Sequence, residues 1–122
     1  MSKILLIDDD ADFRTVLKHE LAGLGYEVLI APDGVRGLQW VLESSVDVIF
    51  LDLNMPHRNG IETLRLIRSV QAAVPVFIVT ALIDDATRAE AGRLGAAGVI
   101  FKPASIKTII AAARSVPGAP NS

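Results

Sequence analysis

The sequence predicts an α/β fold, doubly wound, with a five-stranded parallel sheet covered by helices on both faces. Three observations carry that prediction. Short apolar runs begin near residues 4, 28, 48, 76 and 98, and each is followed by a stretch with apolar residues at helical spacing. The runs are continuously apolar rather than alternating, as expected of strands buried on both faces. Strand–helix alternation of this kind closes through right-handed crossovers into a parallel sheet.

The first strand is Ile4-Leu5-Leu6-Ile7, stopped by Asp8-Asp9-Asp10. A helix follows, with Phe13, Val16, Leu17, Leu21 and Leu24 as its inner face, Asp10 and Asp12 in its first turn and Gly25 at its stop. Residues 27–31 give the second strand, and Pro32-Asp33-Gly34 a turn. Val35, Leu38, Val41 and Leu42 are spaced as the inner face of the second helix, which leaves Trp40 packing on its flank. Residues 47–52 are the third strand, and 53–60 are too polar and broken for anything but a loop. Ile61, Leu64 and Ile67 mark the third helix, and Pro75 to Thr80 the fourth strand. Residues 84–94 read as a weak, charged helix closed by Gly95. Gly98-Val99-Ile100-Phe101 is the fifth strand, and Ile106, Ile109, Ile110 and Ala113 line a last helix. Residues 1–115 therefore form one domain, and 116–122, with Pro117-Gly118-Ala119-Pro120, have the character of a tail or linker.

Composition narrows the function. A chain of 122 residues can bury about two-thirds of its unfolded surface and needs no staples. The absence of cysteine removes disulfides and thiol chemistry and fits a reducing compartment. A formal charge of −2 gives no bulk attraction to nucleic acid or to anionic lipid. The longest near-apolar run, 74–83, is far short of the ~20 residues a spanning helix needs, and the start lacks signal-peptide anatomy. A soluble, cytoplasmic protein is expected.

In an open parallel sheet, ligands bind beyond the carboxyl ends of the strands where the strand order reverses. Strand one ends in Asp8 and Asp9, strand three in Asp52, strand four in Thr80 and strand five in Lys102. In the strand order 2-1-3-4-5 these groups face one crevice. A single polar strand end is ordinary, but agreement in chemistry across four strands is not. Three carboxylates together repel, and a hard divalent cation such as Mg²⁺ relieves them while leaving positions open for phosphate oxygens. An Asp carboxylate is a nucleophile toward phosphoryl groups, and the transferring group needs compensation on its equatorial oxygens. The set reads as an Mg²⁺-dependent aspartyl-phosphate site, with Asp52 as nucleophile and Lys102 and the Thr80 hydroxyl as donors.

Taken in order, Ile4-Leu5-Leu6-Ile7-Asp8-Asp9-Asp10, Ala31-Pro32-Asp33-Gly34, Leu51-Asp52-Leu53-Asn54-Met55-Pro56 with Gly60, Val79-Thr80-Ala81 and Gly95 through Lys102-Pro103 resemble the receiver domains of two-component response regulators. The resemblance runs from about Lys3 to Ser115. It implies a flavodoxin-like (βα)5 fold, and Asp52 as acceptor of a phosphoryl group from a histidine kinase or phosphotransfer protein. It further implies Asp9 as a direct Mg²⁺ ligand, Asp8 acting largely through metal-bound water, and the Asn54 backbone carbonyl as another ligand. Thr80 would close on the phosphoryl group, Lys102 would pair with it, and the peptide before Pro103 would be cis. Such a domain is a switch presenting a changed surface to an output domain or protein partner. It is not an enzyme beyond slow self-phosphorylation and self-dephosphorylation.

The chain departs from the family pattern at three places. Val99 stands where an aromatic switch residue is usual, and its stiff side chain has little reach. Phe101, two residues on, is expected to be buried packing. Ala104 replaces a common Phe, and Ala96-Ala97-Gly98 lacks an Asp that contributes to a salt-bridged dimer, so no oligomeric state is implied. Leu82 offers no hydrogen bond to an attacking water, which implies a long-lived phosphoryl group. His57 reads as a solvated loop residue, and His19 needs no special role. Rival readings fit less well. An aspartyl-phosphate phosphatase generally needs an acid/base carboxylate where Asn54 stands. A nucleotide or flavin site calls for a Gly-rich turn where Asp8-Asp9-Asp10 stands. A degenerate receiver would lack site residues that are all present here.

Overall fold

The apolar runs form strands, and the three central ones bury both faces. The computed structural model describes residues 2–55 and 58–116, the side chains of 58 and 59 excepted. The elements in order are β1 (Lys3–Ile7), α1 (Ala11–Gly23), β2 (Glu27–Ala31), α2 (Gly34–Glu43), β3 (Val48–Leu51), β4 (Asn54–Met55), β5 (Arg58–Asn59), α3 (Gly60–Val70), β6 (Val76–Thr80), α4 (Asp85–Arg93), β7 (Gly98–Phe101) and α5 (Ile106–Arg114). All pairings in the large sheet are parallel, in the order β2-β1-β3-β6-β7. That is the expected topology, with one addition. Within the segment read as loop, β4 and β5 pair antiparallel, Asn54 opposite Asn59 and Met55 opposite Arg58.

Strand alternation divides the core between the two sheet faces. Leu5, Ile7, Ile49, Leu51 and Ile78 join the α3 residues Ile61, Leu64 and Ile67 on one side. Ile4, Leu6, Val48, Phe50 and Val79 join Leu17 and Leu21 of α1 and Ile109 and Ala113 of α5 on the other. Four helices start on side-chain caps. Asp10, Asp33, Asp84 and Ser105 accept from the backbone N–H of Phe13, Arg36, Thr87 and Thr108. Asp10 is thus the cap of α1 rather than part of its first turn. Gly25 (φ 97°) and Gly95 (φ 77°) follow α1 and α4 in the left-handed region, as their placing at helix stops requires.

Helical spacing overstated two inner faces. Val16 of α1 is half-exposed, and so are Val35 and, at 64 %, Leu42 of α2. The buried residues of α2 are Gly34 and Gly37 instead. A Cβ on Gly37 would sit 2.4 Å from the Ile7 side chain, so the missing side chain lets α2 approach the sheet. Trp40 packs partly into the same core, and its indole N–H donates to the Ile30 carbonyl at 3.0 Å. Val116, grouped with the tail by its sequence, is buried in the α1–α5 core. The tail residues 117–122 and His57 lie outside the described residues. His19 is exposed on α1.

Gly60 presents a harder constraint than Gly37. A Cβ there would lie 2.4 Å from the Leu53 Cα and 2.9 Å from the Asp52 carbonyl oxygen, both backbone. Gly60→Ala is expected to cost about 1–3 kcal/mol in urea unfolding, as overpacking does. Gly37→Ala should cost less, because the Ile7 side chain can turn aside. Equal or reversed losses would contradict this reading.

Candidate functional site

Parallel strands that stop at one level place their last residues side by side. Asp52 N–H donates to the Ile7 carbonyl at 2.9 Å, Asp8 N–H to Ala31 at 3.0 Å and Lys102 N–H to Thr80 at 2.9 Å. The ladder therefore continues one step beyond β1, β3 and β7 and fixes the backbone of Asp8, Asp52 and Lys102. Asp8, Asp52 and Thr80 are buried, whereas Asp9 is exposed.

The side chains converge as the sequence predicts. Asp8, Asp9 and Asp52 each bring one carboxylate oxygen to within 4.8 Å of the others. Lys102 Nζ lies 2.7 Å from Asp8 Oδ2 and 3.3 Å from Asp52 Oδ2. The Lys102–Pro103 peptide is cis, as expected. Burial pushes the Asp8 carboxyl above its ordinary range, and Lys102 only partly offsets this. Burial alone would lower the Lys102 ammonium, but its close contact with Asp8 and the charges of Asp8 and Asp52 raise it overall.

This donor set suits a hard cation. Three carboxylates facing one ammonium leave two negative charges uncompensated, and a divalent ion brings the cluster to neutrality. Asp8 Oδ2 is buried without an aligned hydrogen-bond donor, its 2.7 Å contact with Lys102 being ionic. All the side-chain candidates are carboxylate oxygens, the chemistry that Mg²⁺ and Ca²⁺ select.

Several supports were not visible in the sequence. Arg14 reaches back from α1 to donate to the Asp8 carbonyl at 2.6 Å. The Phe13 ring lies 5.0 Å from Lys102 Nζ, near enough for cation–π attraction. The Asn54 amide N–H donates to Asp52 Oδ1 at 2.9 Å. Its carboxamide donates to the Thr80 hydroxyl and, at 2.9 Å, to the Leu82 carbonyl. Only Arg14, Phe13 and Asn54 at helix- or loop-spaced offsets from the aspartates could have hinted at this. One expectation fails: Phe101 is 48 % exposed, with the Arg88 guanidinium 5.5 Å above its ring, because β7 is an edge strand that α4 covers incompletely.

The chain matches the profile of the response regulator receiver domain over residues 4–114. It belongs to that family. The transcriptional regulatory protein CpxR of Escherichia coli K12 is 36 % identical over 116 residues, 95 % of this chain and 49 % of CpxR. The chain thus spans about half the length of that relative. Among solved structures, the chemotaxis protein CheY4 of Vibrio cholerae superposes with a TM-score of 0.88 at 31 % identity, covering 95 % of this chain and 98 % of CheY4. A response regulator of Burkholderia pseudomallei, solved with a phosphorylated aspartic acid, a calcium ion and citrate, gives 0.84 at 26 % identity over 92 % and 66 % of the two chains. This receiver domain therefore has the flavodoxin-like fold and an acidic pocket characteristic of its family. No helix among the described residues is long and apolar enough to cross a membrane.

The raised Asp8 carboxyl has a thermodynamic consequence. In the unfolded chain it ionises from about pH 4, but in the folded metal-free protein it holds its proton to higher pH, so stability is lost across that window as pH rises. Asp8→Asn removes the loss. Its thermal midpoint in chelator should gain on the wild type as pH goes from about 4 to about 7. A constant or shrinking difference would show that Asp8 is not held protonated.

Proposed function

We propose that this receiver domain is a phosphorylation-activated switch whose acceptor is Asp52. The observation that carries the reading is the convergence of Asp8, Asp9, Asp52 and Lys102 from three strand ends. The donor is the phosphohistidine of a histidine kinase or phosphotransfer protein. An Asp52 oxygen bonds to phosphorus as the N–P bond breaks, and the departing imidazole nitrogen keeps the electron pair and takes a proton.

Asp8, Asp9, Asp52 and the Asn54 backbone carbonyl would hold Mg²⁺, with Asp8 acting largely through bound water. Bound there, the ion supplies positive charge against the oxygens of the transferring group. The Burkholderia protein, solved with a phosphorylated aspartic acid and a calcium ion, supports a site that pairs aspartyl phosphate with a divalent cation. Lys102 then moves its charge from the bare carboxylate to a phosphoryl oxygen. The Thr80 hydroxyl, at the end of the neighbouring strand, is the neutral donor to another. The domain performs no turnover of other substrates; its product is its own altered surface, offered to an output domain or a protein partner. Asn54, with no proton to transfer, supports the switch over a phosphatase.

Incubation with Mg²⁺ and a small acyl phosphate should add the mass of one phosphate to the intact protein. Asp52→Ala or chelation should abolish it. Failure of the intact protein with every donor and kinase tried would sink the reading, and steady turnover of unrelated phosphate esters would favour a phosphatase. The acyl phosphate should also persist. Leu82, 76 % exposed beside the site, offers nothing to orient a water. Loss of most of the label during a desalting step would contradict that expectation.

A further inference from the structure

We propose that Phe13 is a positioning residue for phosphoryl acceptance. Its ring holds the Lys102 ammonium beside Asp52 by cation–π attraction and keeps it from a cavity that Ala81 and Ala104 leave open. This role rests on the Asp52 reading above.

The ring takes its place from the site itself. Asp8 Oδ1 accepts from the Asp10 backbone N–H at 2.9 Å, and Asp10 Oδ1, the cap of α1, accepts in turn from the Phe13 N–H at 3.1 Å. The Arg14 guanidinium, from the next residue, donates to the Asp8 carbonyl at 2.6 Å. Phe13 is thus placed by the same aspartate whose Oδ2 lies 2.7 Å from Lys102 Nζ. The circuit closes where Nζ stands over the Phe13 ring, 5.0 Å from its centre. On its inner side the ring packs with the α1–α5 core, which limits its rotation.

Beside the ring and the ammonium lies a cavity of about 410 Å³, lined by Asp10, Phe13, Ala81, Lys102, Pro103 and Ala104. Its walls at Ala81, after β6, and at Ala104, before α5, are single methyl groups. An ammonium on a flexible four-carbon stem gains hydration and rotamer freedom by leaning into such a space. Leaning away removes its charge from Asp52, where the transferring phosphoryl group needs it. Attraction to the ring opposes that loss. A carboxylate or carbonyl in the ring's place would hold the ammonium by a directed hydrogen bond and compete with the phosphoryl oxygens. A ring face attracts charge without such a bond. The ammonium can then pivot from Asp52 Oδ2, 3.3 Å away, to a phosphoryl oxygen while still over the ring.

Phosphorylation of the full chain by a small acyl phosphate with Mg²⁺, followed by mass, tests this role. In that step an Asp52 oxygen bonds to phosphorus as the bond from phosphorus to the acyl oxygen breaks, and the acyl group leaves as a carboxylate. Phe13→Leu, apolar but without a ring face, should slow it about threefold to tenfold, the fold-change of a cation–π contact. Phe13→Tyr should stay within about twofold of wild type. Should Phe13→Leu fail to fold, fluorinated phenylalanines at position 13 keep the shape, drain electron density from the ring face, and are expected to slow the step in order of fluorine content. Without donor, the Lys102 Hε protons should resonate upfield in the ring current of Phe13. That shift should vanish in Phe13→Leu and persist in Phe13→Tyr. Equal rates in wild type and Phe13→Leu, or Lys102 signals indifferent to the substitution, would overturn the positioning role. A wild type that gains no phosphate overturns the Asp52 reading and with it the purpose of the contact, whereas the donor-free Lys102 signals decide the contact itself.

Discussion

The Lys102 ammonium between Asp8 and Asp52 is the constraint on which the site depends. Lysine arrives from the edge strand β7, while the two carboxylates end β1 and β3, with β6 lying between. Only a sheet in this order, with all strands parallel and stopping at one level, lets a single side chain bridge them. The backbone continues the ladder one step past β1, β3 and β7, so Asp8, Asp52 and Lys102 sit on rigid scaffold rather than on mobile loop. Burial opposes both partners, yet the carboxylates hold the ammonium charged and Lys102 restrains the rise of Asp8. Pairing is therefore partial by construction.

That partial pairing is what makes the cluster responsive. A fully neutralised cluster would be a static core feature, and removing one partner would merely strand the other. Here, buried Asp8 and Asp52 and exposed Asp9 outnumber the lysine, so the arrangement is complete only when further positive charge enters. Phe13 beside the ammonium and Arg14 on the Asp8 carbonyl stabilise positions without neutralising the carboxylates. Stability and function pull in opposite directions at these residues, as is usual where charge is held for chemistry.

The sheet and the charged residues were legible because their signals are local. A buried parallel strand announces itself as an apolar run, and a polar residue at its end needs no knowledge of its neighbours to be noticed. What failed was set by partners far along the chain. Val35 and Leu42 have helical spacing, but it is the contact of Gly37 with Ile7 that orients α2. Phe101 looks like a core aromatic until β7 proves to be an edge with its outer part uncovered. The two-residue pairing of Asn54–Met55 with Arg58–Asn59 is too short for any periodicity to register. Asn54 could be assigned a carbonyl from the family resemblance, yet its side-chain bonds to Thr80 and Leu82 join residues 26 and 28 positions apart.

The weakness of α4 acquires a physical sense beside that rigid sheet. A helix capped by Asp84, carrying mostly small and charged residues and burying only Ala91, gains little from packing. Helices of nine residues are marginal on propensity alone, so its order depends on the contacts at its two ends. Elements that respond to a signal must come from the low-stability part of a fold, because a change of one or two hydrogen bonds cannot move a helix locked by a large apolar face. The α3 helix, with Ile61, Leu64 and Ile67 buried, is such a locked element, and it supplies the arginines that hold the far end of α4. Val99 fits the same division. An aromatic there would need space to swing between core and solvent, whereas a small branched residue fills the core in one position.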